Sequence, residues 1–189
     1  TADASLTYLE TDLPEYITAK ERVIRSILRR LGTGRNNLLF AGVDIQRYYE
    51  LSAAAEHLRS EITIVTEGVL LYKSRSAQRT IALNIHRLLR ERGGVWITPD
   101  FTVLSERERS YGKKTVAAFA APRGSLITKG SFKSQSEIKQ FFRSTGFAAE
   151  VYVQSDLVTT LTCVDPLNLR RRKGLLPLRP RMIYCLRPR

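Results

Sequence analysis

At 189 residues, 43% hydrophobic and 26% charged, the chain has the length and balance expected of one globular domain with a sizeable core. No run of about 18 apolar residues occurs, so no membrane span is expected. No charged-then-apolar leader is present either, so the sequence gives no sign of export and the expected location is cytoplasmic. The net charge of +13 is uneven: eight basic residues and no acid follow Asp165, leaving +5 for the rest. Those eight are Arg170, Arg171, Arg172, Lys173, Arg179, Arg181, Arg187 and Arg189. Such a tail is read first as a solvated loop or as paired with acids elsewhere, with phosphate-backbone binding as the rival. Cys163 and Cys185 have no metal or redox spacing and read as reduced thiols. The single methionine, Met182, and a start at Thr1 lead to the expectation of a longer protein or a removed N-terminal segment.

In chain order, residues 5–10 read as a short buried strand. Pro14 suits the first turn of a helix whose apolar stripe is Tyr16, Ile17, Val23, Ile24, Ile27, Leu28 and Leu31, ended by Gly32 and Gly34. "NLLFAGVDI" (37–45) is a second strand and 46–58 a second helix. The run at 62–65 inside "EITIVTEGVLLY" has the pattern of a strand covered on both faces. Ser76 is the expected cap of a long helix with core face Ile81, Ile85, Leu88 and Leu89, stopped by Gly93-Gly94. "VWITPDF" is a fourth strand, and 104–121 is read as a less regular helix. Ser134 and Glu137 have capping-box spacing before Ile138, Phe141 and Phe142, and Gly146 closes that helix. "AAEVYVQ" and "RMIYCL" are two late strands.

Strand alternating with helix four times implies a parallel α/β sheet, which binds ligands at the carboxyl ends of its strands. Those ends carry Asp12, Asp44, Glu67-Gly68 and Asp100, which suggests one crevice rimmed by carboxylates. Asp12 suits the vicinal hydroxyls of a ribose, or else caps the helix at Pro14. Asp44 suits an exocyclic amine of adenine, with the Ile45 N–H facing a ring nitrogen, or else caps the next helix. Glu67, at the end of the strand read as most buried, needs a partner or a cationic ligand. Gly68 allows close approach to the backbone, and Tyr72 either lines the same crevice or belongs to the core. "LGTGRN" (31–36) follows a helix and lacks a third glycine, so it reads as a C-cap and not a phosphate loop. His57 and His86 have no second ligand at metal spacing, and no zinc site is read.

"LTYLETDLPEYITAKERV", "AGVDI", "VTEGVLLY" and "LLRERGGVWITPDF", in that order, resemble the leucine carboxyl methyltransferase superfamily, closest to its bacterial branch of O-methyltransferases linked to polyketide and other secondary metabolism. The similarity runs from about residue 4 to 101, and "SEIKQFFRSTGF" plus a strand is similar to the usual end of such a fold. The resemblance implies a doubly wound Rossmann-like sheet of order 3-2-1-4-5-7-6, mostly parallel with a late antiparallel strand. It implies S-adenosyl-L-methionine as cofactor and a small-molecule oxygen, carboxylate or hydroxyl, as methyl acceptor. On that resemblance Asp12 binds the ribose, Asp44 and Ile45 the adenine, Glu67 and Gly68 lie beside the methionine portion, and Tyr72 lies near the acceptor.

The family's glycine-rich first motif is missing and is expected just before Thr1, together with the first strand and the covering helices. Residues 1–189 are therefore read as a single, incomplete methyltransferase domain with a lid or substrate segment at 102–133, inactive or weakly binding by itself. The rivals are a nucleic-acid-binding α/β module using the basic tail and a non-catalytic α/β scaffold. No base for an alcohol acceptor and no oligomeric state can be read.

Overall fold

A computed structural model of the chain describes residues 6–59, 61–104, 130–154 and 181–189. They fall into two compact units, Thr1–Glu61 and Ile62–Arg189. The predicted helix at 104–121, Cys163 and most of the basic tail lie outside the described residues.

In the first unit, β1 (Tyr8–Asp12) leads through α1 (Pro14–Arg30) to β2 (Leu38–Gly42), which is followed by α2 (Tyr48–Ala55). β1 and β2 pair in parallel, with Tyr8 opposite Leu38 and Asp12 opposite Gly42. The start of α1 packs so tightly on β2 that a Cβ at Gly42 would lie 2.9 Å from the Pro14 Cα. Pro14 occupies the first turn as expected, but the residue before it, Leu13, provides no side-chain cap. The predicted apolar stripe is only partly used. Ile17 is buried, while Tyr16, Val23, Ile27 and Leu31 are 50–68% exposed. β1 is not a buried strand either, since Tyr8 is 41% exposed.

The second unit runs β3 (Ile62–Val65), a 3-10 turn (Leu70–Tyr72), α3 (Arg75–Arg92), β4 (Gly94–Thr98), α4 (Gln135–Ser144), β5 (Phe147–Val153) and β6 (Met182–Pro188). Its sheet has the order β3-β4-β6-β5. β3 and β4 are parallel, and β6 runs antiparallel to both β4 and β5. One reversed strand inserted late into an otherwise parallel set is the arrangement expected from the sequence. The predicted face of α3 is fully used: Ile81, Ile85, Leu88 and Leu89 are all buried. Opposing them is an aromatic cluster in which Trp96 meets Phe147 at 5.4 Å, Phe101 meets Phe142 at 4.7 Å and Phe142 meets Tyr184 at 5.2 Å between ring centroids.

Three local expectations are corrected. β3 is not covered on both faces: Ile62 is buried but Val65 is 64% exposed. Ser74, not Ser76, caps α3, its hydroxyl accepting the Ala77 N–H at 3.3 Å. Ser134 caps α4 through the Glu137 N–H at 3.2 Å, but the Glu137 carboxylate accepts the Lys133 N–H at 2.6 Å instead of returning to the cap.

His86 of α3 stands edge-on to Phe147 at 5.2 Å. Gly146, at φ +87°, makes room for it, since a Cβ there would lie 2.5 Å from Nε2. Burial lowers the His86 pKa below its ordinary 6.5, the Arg90 charge adds to this, and a backbone contact with Gly146 opposes it. The fold thus favours the neutral ring, and its contribution is present above pH 6.5 and lost as pH falls through the lowered value. The thermal midpoint should drop on acidification from pH 7 to about 5, and His86→Gln should flatten that part of the profile. Equal slopes for the two proteins would remove His86 from the transition.

Candidate functional site

Except for Tyr72, which ends the 3-10 turn, the sequence-predicted residues follow the carboxyl ends of paired parallel strands within their own units. In the first unit Asp12 ends β1 and Asp44 stands two residues beyond β2. The Val43 N–H donates to the Asp12 carbonyl at 2.8 Å, which holds the two strand ends side by side.

Asp12 is 37% exposed and does not cap the helix. One carboxylate oxygen accepts the Leu13 N–H at 2.9 Å, and the other faces Lys20 Nζ at 3.3 Å. Lys20 also pairs with Glu10 at 2.5 Å. The bond to Glu10 is the main cause of a raised Lys20 pKa, with Asp12 adding to it and partial burial opposing. Lys20 therefore folds back on two acids. A carboxylate with this exposure keeps lone pairs free for the hydroxyls of a diol.

Asp44 is committed further. Its side chain accepts the Gln46 N–H at 3.1 Å, making a turn into α2, and faces Arg47 at 3.6 Å. Its own N–H donates to Glu50 at 2.7 Å. That bond is the first cause of a lowered Glu50 pKa, followed by the Tyr49 hydroxyl and Arg47. Asp44 does not cap α2, whose N-cap is Arg47 and receives no side-chain bond, so the capping alternative fails as well; it shapes the turn before the helix, and an amine ligand would compete with Arg47. Ile45 follows in the same half-buried turn. The ring of Arg47, Tyr49 and Glu50 around Asp44 was missed, and only the i, i+3 spacing of Arg47 and Glu50 hinted at it.

In the second unit the acids have different fates. Asp100, predicted to be a rim carboxylate, is only 6% exposed. It accepts the N–H groups of Gly68 at 2.7 Å, Val69 at 2.9 Å and Leu70 at 2.9 Å, so it clamps the loop after β3. The Trp96 indole donates to Thr66 at 3.0 Å just before that loop. Gly68 takes φ +70° so that the chain can turn onto the carboxylate, and its N–H is thereby spent on protein. Glu67 is exposed instead of buried, so the expected desolvation cost does not arise. Tyr72 is 41% exposed at the end of the 3-10 turn. Gln78, fully buried, ties that turn to the segment at 130, its amide donating to the Leu70 and Gly130 carbonyls at 3.0 Å each.

Among the described residues no group of three His, Cys, Asp or Glu side chains could hold a metal ion. Among them also, no helix is long and apolar enough to cross a membrane. Of the tail, only Arg181, Arg187 and Arg189 are described; Arg187 faces Glu150 at 3.9 Å. The greater part of the 102–133 segment lies outside the described residues.

No protein-family model and no curated protein matches the chain. Solved structures do. The complex of LepI with SAM aligns over 97% of this chain and 36% of its own, at 9% identity and a TM-score of 0.57. An O-methyltransferase family protein from Burkholderia thailandensis aligns over 97% of this chain and 44% of its own, at 13% identity and a TM-score of 0.52. Magnesium protoporphyrin IX methyltransferase from Synechocystis PCC 6803, with bound SAH, covers 97% of this chain and 64% of its own, at 11% identity and a TM-score of 0.52. The chain thus spans between about a third and two thirds of the length of these structures. Its fold is the Rossmann-like fold of class I methyltransferases.

Because Asp100 satisfies three backbone N–H groups, Asp100→Asn should lower the unfolding free energy by about 1–3 kcal/mol, measured by urea denaturation. Proteolysis between residues 67 and 70 should rise in parallel. An unchanged loop and unchanged stability would show that the clamp is dispensable.

Proposed function

We propose that the chain is part of an S-adenosyl-L-methionine-dependent methyltransferase domain that transfers a methyl group to an oxygen of a small molecule, as in the leucine carboxyl methyltransferase superfamily. The observation that carries this reading is the strand order, β2-β1 and β3-β4-β6-β5 with β6 reversed, bearing acids at the carboxyl ends of β1 and β2. The solved relatives support a methyltransferase but not the atom methylated, since a CurJ carbon methyltransferase also aligns, at 14% identity and a TM-score of 0.54. The preference for oxygen rests on the four sequence segments that resemble the superfamily.

In this reading Asp12 accepts the ribose hydroxyls, with Lys20 holding the carboxylate in place. Asp44 and Ile45 line the adenine, and the Glu50 bond to the Asp44 N–H keeps that turn fixed. Glu67 and the bare Gly68 surface adjoin the methionine portion, and Tyr72 adjoins the acceptor. S-adenosyl-L-methionine supplies a methyl group on a sulfonium, which is already a strong electrophile. The residues of the chain then have to orient the two reactants and exclude water. A carboxylate acceptor needs no strong base.

Among the described residues no glycine-rich loop follows a strand, and β1 and β3 each pair on one side only. We therefore assign the amides that would hold the methionine carboxylate to a segment outside these residues. By itself the 189-residue chain should bind S-adenosyl-L-methionine weakly, and micromolar binding by calorimetry would overturn that part. In the protein carrying the complete sheet, Asp12→Ala should weaken cofactor binding by about 1–3 kcal/mol, from the loss of charged hydrogen bonds. Unchanged affinity there would remove Asp12 from the site.

A further inference from the structure

The turn that carries Asp44 holds a second charged side chain in a fixed place. Arg47, the last residue before α2, is 59% exposed, yet its guanidinium is anchored. Its Nη1 donates to the Tyr49 hydroxyl at 3.3 Å and to Glu50 Oε1 at 3.2 Å. The Tyr49 hydroxyl donates in turn to the same Glu50 oxygen at 3.0 Å. The other Glu50 oxygen accepts the Asp44 N–H at 2.7 Å. Glu50 thus ties the arginine and the backbone of Asp44 to one carboxylate, and the two residues keep a defined distance from each other.

Two atoms at the front of this ring make no hydrogen bond among the described residues. Asp44 Oδ1 accepts the Gln46 N–H at 3.1 Å, whereas Oδ2 accepts nothing. Arg47 Nη1 is used twice, whereas Nε only faces Oδ2 at 3.6 Å, too far for a hydrogen bond. Such an exposed charge pair contributes little by itself. An acceptor and a donor therefore stand side by side on a turn that is open to solvent, and neither spends its hydrogen bond on the other.

Adenine presents the matching set. Its exocyclic amine donates beside N7, which accepts, and an adjacent acceptor and donor read that edge, as one carboxamide does when it bonds both. With Ile45 expected at the ring nitrogen on the other side of the amine, N7 falls to Arg47. We infer that Arg47 is a second adenine-reading residue: Asp44 accepts from the amine, and the Arg47 guanidinium donates to N7. This rests on the reading of the Asp44 turn as the adenine end of the cofactor site. An amine that takes Oδ2 competes with Arg47 for the charge of that oxygen but displaces no hydrogen bond. The guanidinium keeps Tyr49 and Glu50 and stays where it is. Guanine shows two acceptors on the same edge, which leaves Asp44 without a donor, so the pair selects adenine against it.

The test is a titration of the 189-residue chain, followed by NMR at the amides of residues 43–50. The probes are adenosine and 7-deazaadenosine, which differs in lacking N7. Adenosine is expected to bind saturably and about tenfold more tightly, the difference one charged hydrogen bond makes. This comparison on the unaltered chain requires no variant to fold. In Arg47→Ala the two probes should bind alike, while adenosine still shifts the same amides. Tyr49→Phe, which removes one anchor and keeps the guanidinium, should narrow the difference. A purely structural role for Arg47 would weaken both probes and leave their ratio unchanged, and that result would overturn the proposal. Equal binding of the two probes by the unaltered chain would also overturn it while leaving Asp44 as an adenine acceptor. Absence of any saturable shift with adenosine would remove the adenine assignment of Asp44 and the proposal with it.

Discussion

Every interior strand of a sheet must satisfy two rows of backbone N–H and C=O groups, and β1 and β3 each satisfy only one among the described residues. This constraint accounts for most of what is unusual in the chain. Edge strands in natural proteins are usually short, charged or covered. β3 has four residues and ends in an exposed valine, while β1 places Tyr8 and the Lys20-held pair Glu10 and Asp12 at its surface. β3, Ile-Thr-Ile-Val, carries the composition of an interior strand in the setting of an edge, while the acids of β1 suit an edge. The same imbalance reappears on α1, where Val23, Ile27 and Leu31 repeat every four residues and stay exposed among the described residues.

Three acids at equivalent strand ends have acquired three different chemistries, decided by what lies within reach. Asp100 sits at the end of an interior strand of the second sheet, and three amides surround it, so it is a structural acceptor. Asp44 meets Arg47 and the Gln46 amide, so it shapes a turn. Asp12 meets one amide and one lysine and stays partly open, which makes it the acid best able to receive a ligand. Position in the fold predicts that a carboxylate will stand at each place. Only the neighbours decide whether it faces inward or outward.

This sets the limit of what could be read from the sequence. The helical period of α3 translates into burial because its face meets a sheet whose strands are paired on both sides at β4 and β6. The same period on α1 does not, because periodicity reports which side chains could be buried and not whether anything covers them. The apolar run at 62–65 misled for the same reason: an unbroken apolar pattern marks a strand made for an interior position, whatever its present neighbours. Helix caps were legible to within one turn. Ser74 and Ser76 are equivalent in composition, and their hydroxyls lie 2.9 Å apart, so only geometry picks the one that accepts the Ala77 amide. Contacts at long separation, such as Asp100 with residues 68–70, have no local signature at all.

The first unit is electrically divided along a single helix. Acids gather at the end where α1 begins and arginines at the end where it closes. Its seventeen residues make a rod of about 25 Å, two to three times the screening length in physiological salt. Charges at one end therefore have little effect on a ligand at the other. Lys20 and Arg25 mark the boundary, each turned toward an acid of its own: Lys20 toward Glu10 and Asp12, Arg25 toward Glu21. Those pairs leave Asp12 partly open on one side, while Arg22, Arg29 and Arg35 make no ion pair among the described residues. Asp12 is thus held by a cation of its own helix and stays partly exposed, whatever charge stands at the far turn.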